Sequence, residues 1–111
     1  MQYGDFVLMD FGCQFHGYMS DMTRTVIVGK PDEKQREVYD MTRQMIEDSL
    51  AVMKAGARCA DVYEASTKGH PGTPPYYQYH YNGIGHGIGL FVHEVPFTPD
   101  RGPRLSMRKM S

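Results

Sequence analysis

Four side chains in this sequence have the type and the setting to do chemistry: Asp10, Asp21, His86 and His93. Asp10 lies inside an almost unbroken apolar run, Asp5-Phe-Val-Leu-Met-Asp-Phe11. An isolated charge in such a run is costly unless it is neutralised, paired or bound to a metal. Asp21 heads a second run, Met22-Thr-Arg-Thr-Val-Ile-Val28, which is β-branched and alternating. If the two runs form a hairpin centred between Phe15 and His16, facing residues have numbers that sum to 31, and Asp10 faces Asp21. Directly opposed side chains have Cβ atoms ~4.5–5.5 Å apart, and like charges there are destabilising. Two anions so placed call for a cation, and hard divalent ions held by carboxylate oxygens are the natural answer. Two-ion sites hold their metals ~3.5–4 Å apart, a gap that a shared carboxylate can bridge. A plainer reading of the same residues stays open: Asp21 pairs with Arg24 or caps a turn, and Asp10 accepts backbone hydrogen bonds.

His86 stands between two glycines in Gly83-Ile-Gly-His-Gly-Ile-Gly89, and His93 follows seven residues later. Flanking glycines let backbone and ligand approach closely, and neutral imidazole is a common metal ligand. The competing reading is a purely structural histidine. In one straight strand positions 86 and 93 point to opposite faces, so a shared site requires a bend at Gly87 or Gly89. Three familiar motifs are excluded. His93-Glu94 continues Val95-Pro96-Phe97, which is not HExxH. The glycine run does not fit GxGxxG in either register. Asp10-Phe11-Gly12 has neither the catalytic loop nor the nucleotide loop of a protein kinase around it.

The elements that must position these residues follow from periodicity. Asp5 to Phe11 predicts a strand covered on both faces. Gly12 to Ser20 is a polar, glycine-containing connection, and Met22 to Val28 is a second strand. A helix is predicted from Glu33 to Lys54, with Val38, Thr42, Met45, Ile46, Ser49 and Met53 as its buried stripe. Arg36 with Asp40 and Arg43 with Glu47 are opposite charges four apart on its wet side. Gly56 ends that helix, and Ala60 to Lys68 forms a short second one. Gly69 to Tyr79, with Pro71, Pro74 and Pro75, reads as an irregular surface loop. Leu90 to Val95 is strand-like, and Arg101 to Ser111 is a basic tail without a packing pattern. No internal repeat is present.

At 111 residues with a net charge of −1, the chain has the size of one domain and no dedicated nucleic-acid surface. It is globular in composition, 41% hydrophobic and 23% charged. No apolar run approaches the ~18 residues of a membrane span. The start, Met1-Gln2-Tyr3-Gly4-Asp5, is not a secretion signal. The expectation is therefore a cytoplasmic protein in which Cys13 and Cys59 are reduced thiols. Nine methionines fill core space and imply no metal role.

Taken together, two segments resemble one family. Asp5 to Gly29, GDFVLMDFG…GYMSDMTRTVIVG from Gly4, resembles the metal-binding segment of the methionine aminopeptidase/Xaa-Pro peptidase/creatinase group. Gly85 to Pro96, GHGIGLFVHEVP, resembles the histidine segment of its Xaa-Pro branch. The helix and the Ala55-Gly56-Ala57…Asp61-Val62-Tyr63 stretch fit the same pattern, so the likeness covers about Gly4 to Pro99. It implies an α+β, pita-bread catalytic domain in which two Asp, one His and two Glu hold two divalent metal ions. Mn²⁺ is the first candidate, with Co²⁺ and Zn²⁺ as alternatives. Carried over residue by residue, the likeness makes Asp10, Asp21 and His86 metal ligands. His93 matches a histidine that binds substrate and stabilises the tetrahedral intermediate. The implied reaction removes an N-terminal residue from a peptide, and the implied partner is a peptide, with a homodimer left open and neither nucleic acid nor membrane involved.

The departures are specific. Asn82 stands where the family usually has another histidine, and Glu94 matches neither glutamate ligand. The glutamates lie downstream of a GM…EPG-like stretch, which these 111 residues do not contain. Residues 1–111 are therefore expected to be the central part of a pita-bread domain, lacking its N-terminal segment and its glutamate-bearing strands. Alone they should bind divalent metal weakly and not turn over peptides. Two rival readings are a creatinase-like hydrolase of small C–N substrates and a non-catalytic module that binds a peptide or protein.

Overall fold

The computed structural model describes residues 1–68 and 83–98. The proline- and tyrosine-rich stretch from Gly69 to Tyr79, Asn82, Pro99 and the basic tail lie outside the described residues. The chain runs β1 (Phe6–Phe11), β2 (Gln14–Phe15), β3 (Tyr18–Met19), β4 (Met22–Ile27), α1 (Glu33–Val52), α2 (Cys59–Lys68), β5 (Gly85–Gly87) and β6 (Glu94–Thr98).

The first four strands are one antiparallel hairpin in two laddered pieces, β1 with β4 and β2 with β3. Its tip is Phe15-His16-Gly17-Tyr18. His16 and Gly17 have φ of 49° and 87°, the two consecutive positive values of a type I′ turn. That turn centres the hairpin between His16 and Gly17, so facing residues sum to 33, from Phe6 with Ile27 to Phe15 with Tyr18. The expected register is thereby corrected by two residues: Asp10 faces Thr23 and not Asp21. Between the ladders, Ser20 N–H donates to Cys13 O at 2.8 Å and Cys13 N–H to Ser20 Oγ at 3.0 Å. The strands close tightly here, since a Cβ on Gly12 would stand 2.1 Å from the Ser20 carbonyl oxygen.

The expectation that β1 is covered on both faces is not met. Leu8 is 66% exposed, and Phe6, Met9 and Phe11 are also exposed. The helix meets the hairpin at its open end, where Gln35 Nε2–H donates to Gly4 O at 2.8 Å, and leaves the middle of β1 free. Asp10 is exposed as well, so the cost of a buried charge does not apply to it among these residues.

α1 starts at Glu33, behind a complete capping box. Asp32 Oδ1 accepts from Gln35 N–H at 2.7 Å, and Gln35 Oε1 accepts from Asp32 N–H at 2.9 Å. It ends at Val52, two residues before the expected Lys54, and Gly56 takes its left-handed conformation (φ 87°) beyond the end. Met45 and Ser49 are buried and Val38 half-buried, as the stripe predicts, whereas Thr42, Ile46 and Met53 are exposed. Arg43 and Glu47 form the expected pair at 3.0 Å.

α2 starts one residue earlier than expected. Its Asp61 faces Arg58, whose guanidinium is pushed above its usual range by that hydrogen bond and charge. Cys59, Val62 and Ser66 recur at three- and four-residue spacing and are fully buried where α2 packs on α1 and β6. Cys13 and Cys59 are not joined in a disulfide, as expected.

β5 and β6 form the third antiparallel pair. His86 faces Phe97 and Gly87 faces Glu94, with a register shift between them. The expected strand Leu90 to Val95 is displaced to Glu94–Thr98, because Ile88 to His93 form an irregular turn with Leu90 and Phe91 exposed. No described helix is long and apolar enough to cross a membrane.

Candidate metal centre

The turn just described makes the bend that a shared histidine site requires. The His86 and His93 rings lie with centroids 4.3 Å apart, tilted by 50°. His86 is fixed by β5 and Asp21 by the residue that leads into β4, and a main-chain bond holds the two segments together: Met19 N–H donates to Gly89 O at 2.8 Å. The result is His86 Nε2 3.3 Å from Asp21 Oδ2, with side chains only 25% and 27% exposed. One ligand atom each from Asp21, His86 and His93 falls within 4.8 Å of the others.

The hydrogen bonding of His86 gives this cluster its chemical meaning. Its Nδ1 is 3.0 Å from the Gly87 carbonyl oxygen, which can only accept, so Nδ1 carries the proton. In the neutral ring Nε2 then presents a lone pair to a carboxylate oxygen. Two lone pairs that close need something positive between or on them. A second ring proton gives an ion pair; a divalent cation gives a coordination edge. The 3.3 Å gap is short enough for both atoms to reach one divalent cation at ordinary bond lengths of ~2.0–2.2 Å. A backbone acceptor on the far ring nitrogen is also the usual companion of a metal-binding histidine. The Asp21 carboxylate and the His86 imidazole are donors suited to Mn²⁺, Co²⁺ or Zn²⁺, with the His93 ring beside them.

Asp10 is not part of this close group among the described residues. Its Oδ1 accepts a hydrogen bond from Thr23 Oγ1 at 3.2 Å. Thr23 is its facing residue and Asp21 lies two positions before Thr23, so the two carboxylates are diagonal neighbours, a relation of ~7–8 Å on a sheet. Of the four residues singled out by type and spacing, the structure thus brings together Asp21, His86 and His93. It sets Asp10 one diagonal away, on Thr23. Thr23 was not among the residues marked from sequence. The signal that finds it is Gly17, which fixes the turn and through it the register.

Residues 1–110 match metallopeptidase family M24. The chain is 38% identical over 93 residues to the uncharacterized peptidase YqhT of Bacillus subtilis, covering 84% of this chain and 26% of that protein. It is 34% identical, with the same coverage, to an Xaa-Pro dipeptidase of Pyrococcus horikoshii. Among solved structures, an X-Pro aminopeptidase from Thermotoga maritima superposes with a TM-score of 0.73 at 30% identity, covering 86% of this chain and 27% of that one. The chain thus spans about a quarter of the length of the relatives it matches. The α+β arrangement is that of part of a pita-bread fold, as expected. By sequence and by fold, this chain belongs to metallopeptidase family M24.

Proposed function

We propose that this chain carries part of the active site of a metal-dependent hydrolase of the Xaa-Pro aminopeptidase/dipeptidase type, which removes the N-terminal residue of a peptide. The observation that carries the reading is the 3.3 Å approach of His86 Nε2 to Asp21 Oδ2, with the other ring nitrogen committed to Gly87 O. Asp21 and His86 hold a divalent cation, Mn²⁺ by preference, and Asp10 joins from the diagonal position. When bound, divalent metal supplies Lewis acidity and a nucleophilic water at neutral pH. Gly87 O keeps His86 in the tautomer that offers Nε2. Thr23 Oγ1–H occupies one oxygen of Asp10 and leaves the other for the site. His93, packed against His86 at the site's edge, donates its ring N–H to the oxygen of the scissile carbonyl as charge develops on it. The family likeness calls for two glutamates that have no counterpart in these 111 residues, so this chain alone holds metal weakly and does not turn over substrate.

Isothermal titration with Mn²⁺ on the 111-residue chain, and on Asp21→Asn and His86→Ala variants, tests the site. The chain should bind, and each variant should bind at least about tenfold more weakly. Unchanged affinity in either variant would sink the assignment. Release of free amino acid from an Xaa-Pro dipeptide by the isolated chain would overturn its proposed inactivity.

A further inference from the structure

His93 reaches His86 only because six residues, Ile88 to His93, double back between β5 and β6. Among the described residues apolar burial contributes little to this turn, in which Val92 alone of the large apolar side chains is half-buried. Ile88, Leu90 and Phe91 are all exposed, Phe91 by 70%. What holds it is a short chain of hydrogen bonds. Gly89 N–H donates to Phe91 O at 3.1 Å, and Gly89 O accepts from Met19 N–H at 2.8 Å. Phe91 N–H donates to Glu94 Oε1 at 2.8 Å. That last bond is the one supplied by a side chain, and it reaches back three residues across the turn, over His93's own position.

Gly89 completes the arrangement from the other side. A Cβ there would stand 2.7 Å from Glu94 Oε2 and 3.1 Å from Oε1. Any other residue would push the carboxylate off its seat. Glu94 also faces Gly87 in the ladder, where a Cβ would meet the Glu94 and Val95 carbonyl oxygens at 2.9 and 2.5 Å. Gly89 thus clears space for the side chain of this glutamate, next in sequence to His93, and Gly87 for its backbone. Glu94 stands outside the Asp21–His86–His93 group, with Oε1 occupied by Phe91.

We propose that Glu94 is a positioning residue: its carboxylate, seated against Gly89 and bonded to Phe91 N–H, fixes the turn that packs His93 against His86. The consequence for turnover rests on the function proposed above. The placement of the ring does not.

The test uses ¹⁵N-histidine-labelled protein and the ring signals of His86 and His93, which report their mutual contact without metal or substrate. Glu94→Ala should shift both histidines' signals toward those of separated rings. Glu94→Gln, which keeps an oxygen acceptor, should leave them in place. Gly89→Ala, which displaces the carboxylate without removing it, should reproduce the Glu94→Ala shifts and decides the matter if Glu94→Ala does not fold. In the full-length protein, Glu94→Ala should lower kcat about 10–100-fold with KM little changed, and Glu94→Gln should restore most of it. Wild-type ring signals in Glu94→Ala or Gly89→Ala, or Glu94→Gln signals as displaced as those of Glu94→Ala, would overturn the proposal. Loss of turnover in the wild type with these ring shifts intact would strike the proposed reaction and leave Glu94's role standing.

Discussion

The helix pair and the site-bearing strands are built on opposite principles. Between α1 and α2 lie Met45, Ser49, Cys59, Val62 and Ser66, which are all the buried side chains among the described residues. Even the polar members are satisfied there: Ser49 Oγ–H donates to Met45 O at 2.8 Å and Ser66 Oγ–H to Tyr63 O at 2.6 Å. The strands carry the proposed site, and their side chains are mostly exposed. Their placement rests on a turn type, on glycines at close approaches and on a few main-chain bonds. Stability is concentrated in one region and reactive geometry in the other, so substitutions in the two should separate cleanly.

The largest effect is expected in the helices. Val62 is completely buried, and Val62→Asp places an unpaired charge in the only tight core among the described residues. A loss of about 4 kcal/mol or more follows, enough to unfold a domain of this size. Thermal denaturation followed by circular dichroism reads it. A cooperative melt near the wild-type temperature would show that the helix pair is not the stabilising centre.

A smaller effect with a sharper meaning is expected at Gly12. A methyl there meets the Ser20 carbonyl oxygen at 2.1 Å, and a backbone atom cannot swing aside as a side chain can. Gly12→Ala should cost about 2 kcal/mol while moving Asp21, the next residue, away from His86. Reduced Mn²⁺ affinity with helicity retained is the expected pair of readings. Unchanged affinity would show that Asp21 tolerates strand separation.

How legible all this is from sequence divides along the same line. The Asp32–Gln35 capping box and the 3.6-residue stripe are local codes, and α1 and α2 begin within one residue of where they predict. The hairpin's existence is equally local. Its register is not, because one turn decides it, and a hairpin centred one residue early puts Asp10 opposite the wrong partner. The glycine before Tyr18, behind a histidine able to take positive φ, is the sequence trace of the true centre. The apolar piece from Leu90 is misplaced as a strand because hydrophobicity says nothing about the polar bonds that fold Ile88 to His93 into a turn. The run in β1 reads as doubly covered because its composition reflects burial that no described residue supplies. Among the site residues, type and spacing mark Asp21, His86 and His93. Thr23 and Glu94 escape because their contribution is a hydrogen bond to a neighbour.

The smallest expected effect probes that uncovered strand. Leu8 is 66% exposed, so Leu8→Thr should change the stability of the 111-residue chain by no more than about 0.5 kcal/mol in urea. A cost above about 1.5 kcal/mol would show that the face is covered in solution, and sedimentation of the two proteins side by side would then reveal self-association.

The Met19–Gly89 bond has a folding consequence. It closes a loop of 70 residues, and the chain entropy of such a closure is about 4 kcal/mol, more than the roughly 1 kcal/mol net of one main-chain bond. The bond is therefore a latch on a door that other forces swing shut. Those forces are the packing of α1 on α2 and of α2 on β6, which carry the histidine limb back toward the hairpin. By this argument the site assembles after the helices pack, and it opens more readily than the helix pair. A cation held across the gap as proposed would act as a second latch, so that metal concentration would set how often the histidine limb swings free.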